Sequence, residues 1–183
     1  MKNKHFLLAL VFSMVSMVSV CEAKKMYPVN IGKGEMPGDI GSCTASLSEE
    51  NSGNGKDLSL KIEFKSGGWI GEYAPKRGTW TVFKNVKFNA FNPSEKKIKM
   101  TFVIKDKNSG DRKSWAVIPF ELKPGMNEIE LKLEGLKTQE GKEVDLIKLK
   151  AWHFSYKMFS ENDWEEKGGD EFTVFISNLR LED

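Results

Sequence analysis

The segment Lys113–Gly125, KSWAVIPFELKPG, puts Ala116, Ile118, Phe120 and Leu122 on one face of a strand. Trp115, Val117 and Pro119 fall on the other, where an ordinary surface strand carries charge. The same period of two recurs along the chain. DLSLKIEF sets Leu58, Leu60, Ile62 and Phe64 against Ser59, Lys61 and Glu63; KIKMTFVIK buries Ile98, Met100, Phe102 and Ile104; NEIELKL buries Ile129, Leu131 and Leu133. These are strands with one wet face. NVKFNAF, with Val86, Phe88 and Ala90 inside, IKLKAWHFSYKMF and EFTVFISNLRL are three more, and CTASLSEE forms a hairpin with DLSLKIEF through NSGNG.

The breakers NPSEKK, DKNSGDR and KPGMN separate the strands with residues that accept turn dihedrals at least cost. No apolar spacing of three and four persists; LKTQEGKEVDLIKLK has room for a single helical turn. The glycine-rich GKGEMPGDIG and the stretch GGWIGEYAPKRGTW read as loops, the rings of the second either plugging the end of the core or standing open. Short strands with a turn about every ten residues predict an all-β chain folded as a two-sheet antiparallel β-sandwich.

Particular residues carry a family resemblance. FNAFNPSEKKIKMTFVIKDKNSGDRKSWAVIPFELKPGMNEIEL, then VDLIKLKAW and the closing FTVFISNLRLED, resemble the galactose-binding-like jelly roll of bacterial non-catalytic carbohydrate-binding modules. LSLKIEFKSGGWIGEY resembles the second strand of that family and the loop after it. The resemblance runs from about Thr44 to Leu181 and implies a jelly roll that holds a poly- or oligosaccharide. It also implies a structural calcium held in part by an aspartate of the last strand; here Ser177 precedes Asn178, a departure from that pattern.

The amino terminus changes the compartment. MKNKHFLLALVFSMVSMVSVCEA has two early lysines, an apolar run from Phe6 to Val20 too short to span a bilayer comfortably, and small residues at Cys21 and Ala23. It reads as a signal peptide, residues 1–23, leaving residues 24–183 as one β-sandwich domain that is secreted or periplasmic. The alternative is a lipobox, VSVC, in which Cys21 becomes a lipidated first residue. Cleavage removes Lys2, Lys4 and Glu22, so the net charge moves from +2 to +1. That leaves no strong field for nucleic acid or an anionic membrane, and no further apolar stretch reaches spanning length. Cys43 then stands alone, so no disulfide framework holds the fold.

Catalytic chemistry finds little footing. Apart from His5 in the leader, His153 is the only histidine, and in KAWHFSY it reads as a strand side chain satisfied by its neighbours. No metal-ligand or cofactor motif is present, and SENDWEEKGGDEF is an acidic loop without the spacing of a calcium-binding hand. The aromatic residues are more informative. Trp69 and Tyr73 lie in the glycine-rich stretch, Phe91 and Trp115 face away from the buried set of their strands, and Trp152, Phe154 and Tyr156 share one face. Sugars present apolar C–H faces that stack on rings, with hydroxyls that need donors and acceptors beside them. Trp69, Tyr73, Arg112, Trp115 and Trp152 are therefore the candidate ligand-binding residues, Arg112 being a donor close to Trp115. The first expectation is a non-catalytic carbohydrate-binding protein without cofactor. The alternative is an exported structural or assembly protein that turns the same sandwich towards a protein partner.

Overall fold

The computed structural model describes residues 25–29, 35–52, 57–157 and 170–183. The segment read as a signal peptide, with Cys21, lies outside the described residues, as does most of the acidic run. Nine strands are present among the described residues: β1 (Met26–Pro28), β2 (Asp39–Ser48), β3 (Ser59–Tyr73), β4 (Asn85–Asn92), β5 (Ile98–Asp106), β6 (Ala116–Leu122), β7 (Gly125–Lys132), β8 (Leu149–Tyr156) and β9 (Phe172–Glu182). Every pairing is antiparallel.

The strand order β6-β5-β8-β3-β9-β4-β7 runs through β3, with β2 on β3 and β1 on β9. The two halves of β3 have different neighbours. Leu60–Phe64 pair with β9, while Gly68–Tyr73 pair with β8. The strand thus passes from one layer to the other at Gly67 and Gly68, whose φ values of 140° and 150° suit glycine. β2 follows it, with a register shift between Gly41 and Cys43 where Ser42 takes a φ of 56°. One layer is β6-β5-β8 with the second half of β3; the other is the first half of β3 with β9, β4 and β7.

The layers meet through their aromatic faces. Phe88 of β4 lies edge-on to Phe154 of β8 at 5.0 Å between centroids and to Phe120 of β6 at 5.4 Å. Around them the alternating sets of β3, β4, β5 and β9 fill the core: Leu60, Ile62, Val86, Met100, Phe102 and Ile176 are fully buried, with Ile118, Phe120 and Ile129 packed at its margin. Trp80 plugs one end, its Nε1 donating to the Arg77 carbonyl at 2.8 Å.

Three sequence expectations are corrected. The run GGWIGEY is strand, the second half of β3, because β2 and β8 supply regular partners on both sides. The end of GKGEMPGDIG is strand too: Asp39, Ile40 and Gly41 pair with Gly71, Ile70 and Trp69. The helical turn allowed in LKTQEGKEVDLIKLK is replaced by a bridge between Lys137 and Glu143.

Candidate functional site

Register places side chains in rows across the outer face of the first layer. Tyr73 of β3 is opposite Ala151 of β8, which is opposite Lys105 of β5, and one step beyond the Ile104–Ala116 pair lies Trp115. The next row is Asp39, Gly71, His153, Val103 and Val117; the third is Gly41, Trp69, Ser155, Thr101 and Pro119. The Trp115–Val117 face continues a shared outer surface of five strands. Its floor is made of small or sunken side chains, Gly71, Val103, Ala151, His153 and Ser155, all buried although they face away from the core. Its walls are rings. Tyr73 is 64% exposed, and Trp69 and Trp115 are half-buried. From the strand of Tyr73 to that of Trp115 is three strand spacings, about 14 Å.

Polar groups stand between the walls. The Lys105 ammonium lies 3.8 Å from the centroid of the Trp115 ring, a cation–π contact that fixes both side chains. Burial pushes the Lys105 pKa below its ordinary value, against the nearby Asp39 carboxylate and with Lys150 adding to the depression. Asp39 accepts a hydrogen bond from Trp69 Nε1 at 3.1 Å and meets His153 Nε2 at 2.8 Å. Burial opposes ionisation of Asp39, but the bonds from His153 and Trp69, with the charge of Lys105, hold its carboxyl below the usual range. His153 is 1% exposed and its pKa is lowered, chiefly by burial, so the imidazole is neutral and gives its Nε2 proton to Asp39. Its Nε2 is satisfied by a neighbour, as its sequence context suggests, while its buried Nδ1 has no hydrogen-bond partner among the described residues, and the ring has no open approach for a substrate.

The structure gathers Trp69, Tyr73 and Trp115 on this face and puts Arg112 in the short 3-10 turn Arg112–Ser114 that leads into Trp115. That turn is braced: Asp111 Oδ1 accepts from the Ser114 amide at 3.2 Å, and the Arg112 carbonyl accepts from Gln139 Nε2 at 2.7 Å. Trp152 does not join them. It is 0% exposed on the opposite side of β8, stacked on Phe102 at 5.8 Å, its Nε1 donating to Glu72 Oε2 at 3.2 Å. Its assignment as a ligand ring is withdrawn. The alternation that groups Trp152 with Phe154 and Tyr156 already carried the signal of a core face. Asp39 and Lys105 were missed, Asp39 because its partners are 30 and 114 residues away.

Solved structures that share this architecture include carbohydrate-binding modules and a domain of an agarase. Over 85% of this chain and 94% of its own, a family 11 carbohydrate-binding module from Clostridium thermocellum, determined with a β-1,3-1,4-mixed-linked tetrasaccharide, superposes with a TM-score of 0.58 at 13% identity. A family 11 module determined in solution gives 0.63 at 14% identity over 88% and 96% of the two chains. The chain has the jelly-roll fold of carbohydrate-binding modules. An exo-β-agarase matches too, with a TM-score of 0.61 at 15% identity over 81% of this chain, which spans only 23% of the agarase. No family model matches the sequence, and no curated protein matches it.

The last strand, Phe172–Glu182, carries no aspartate of the kind that the sequence resemblance implies for calcium. Ser177 is a buried hydroxyl facing Asn89, and among the described residues no three His, Cys, Asp or Glu side chains gather as ligands.

Proposed function

We propose that this chain is a non-catalytic glycan-binding protein that lays an extended oligo- or polysaccharide across the outer face of β3, β8, β5 and β6. The observation that carries the proposal is the row Tyr73, Ala151, Lys105, Trp115: a ring at each end, a methyl-sized floor and one cation between. The separation of the rings suits several linked sugars better than one. Apolar sugar faces rest on Tyr73, Trp69 and Trp115, and the ring-bound hydroxyls find Lys105 and, at the Trp115 end, Arg112. Glycoside cleavage uses a pair of carboxylates, and the rows of this face hold one, Asp39, with both oxygens committed, which supports binding without cleavage. The fold match to a carbohydrate-binding module determined in complex with a tetrasaccharide supports the same reading.

The leader and its small-residue site support export, with residues 24–183 as the working domain. Among the described residues no helix is long and apolar enough to cross a membrane.

Affinity electrophoresis through barley β-1,3-1,4-glucan and through agarose tests the proposal on exported protein, whose intact mass should begin at Lys24. Trp115→Ala and Tyr73→Ala should abolish retention while leaving the melting temperature nearly unchanged. Trp152→Ala should instead cost about 3–5 kcal/mol of stability, as core truncations do. Free migration of the unaltered protein through a broad set of glycans, with one protein co-purifying, would favour the assembly role.

A further inference from the structure

Asp39 is the first residue of β2 and the only carboxylate in the two rows beneath the rings. Both of its oxygens are committed, Oδ1 to the Trp69 indole and Oδ2 to His153. The two partners sit on different strands. His153 belongs to β8 and is sealed in the floor; Trp69 belongs to β3 and forms part of a wall. The Trp69 ring also lies flat over Gly41, where any side-chain carbon would run into the indole. So the ring rests on a glycine seat, and its edge is tied through one carboxylate to an immobile imidazole.

We propose that Asp39 is the positioning residue of this face, holding the Trp69 ring in the plane that a bound sugar meets. The proposal rests on the glycan-binding reading, but its physical content concerns the ring alone. Without the carboxylate the indole N–H loses its acceptor and the ring regains rotamers, which a ligand must then freeze at a cost in affinity.

The test is a double-mutant cycle read by retention in barley β-1,3-1,4-glucan. Asp39→Ala should weaken retention about three- to tenfold, the cost of ordering one large side chain. In a Trp69→Phe background, which has no indole N–H, the same change should cost nothing further. Asp39→Asn keeps an acceptor for the indole and should restore retention to within about twofold. An equal loss in both backgrounds, or no loss in either, overturns the proposal. A second readout needs no ligand. The Trp69 indole N–H resonance, identified by its absence in Trp69→Phe, should move to the position of a solvent-exposed indole in Asp39→Ala and stay in place in Asp39→Asn. An unmoved resonance in Asp39→Ala overturns the proposal even if no glycan is ever retained; a moved one upholds it while the glycan reading fails separately.

Discussion

At the scale of single residues, two tryptophans of similar sequence context have opposite fates. Trp115, which leads into β6, and Trp152 of β8 each follow a lysine by two residues and precede an apolar run, yet one stands in a wall under a lysine ammonium and the other is stacked on Phe102 in the core. Side-chain parity was legible in the sequence in both cases. What parity alone could not show for Trp115 was that Lys105 and the floor of β8 continue its face, since those neighbours come from other strands. His153 gives a prediction at the same scale. It is held neutral by burial, with Asp39 facing it from β2 and Lys105 from β5. The unfolded chain takes up a proton at this residue as pH falls through about 6.5, and the folded chain does so only at lower pH. Stability should therefore be full above that value and decline on acidification, by up to about 1.4 kcal/mol per pH unit, until the depressed folded value is reached. Asp39 adds a separate loss below about pH 4, its carboxyl being depressed in the fold. Urea-unfolding midpoints between pH 8 and pH 5 should fall for the parent protein and stay flat for His153→Gln.

At the scale of elements, β4, β7 and the first half of β5 were legible because one face of each packs inward while the other is wetter, and β9 because its apolar run, buried on both faces, is bounded by polar residues. The second half of β3 was not. Glycines and large rings look like a loop in one dimension; in three they let β2, β3 and β8 approach closely and raise rings above a thin floor. Gly71 illustrates the close approach, since a side-chain carbon there would meet the backbone of Trp152 and His153. Gly41 ties this geometry to the site. Gly41→Ala should expel the Trp69 ring from its seat, red-shift its fluorescence, weaken glycan retention and cost about 1–3 kcal/mol through overpacking. Unchanged emission and retention would mean that the ring does not rest there in solution.

At the scale of the whole molecule, the layers are not independent bodies. β2 and β3 each contribute one half to each layer, so no plane separates the sandwich without cutting two strands. The rows of the candidate face draw on β2, β3, β5, β6 and β8, elements far apart in the chain, and on a floor whose burial depends on all of them. A protein so interleaved should open as a unit. Far-ultraviolet ellipticity reports strand pairing throughout, tryptophan fluorescence reports the buried Trp80 and Trp152 together with the half-buried Trp69 and Trp115, and the two should trace one urea transition with a common midpoint and slope. A fluorescence change that precedes the loss of ellipticity would mean that the ring-bearing face melts first. Its walls would then be a locally ordered surface resting on the sandwich, not a rigid part of it, and binding would have to order the rings each time. Coincident transitions would place the rings within the cooperative fold, already arranged before any sugar arrives.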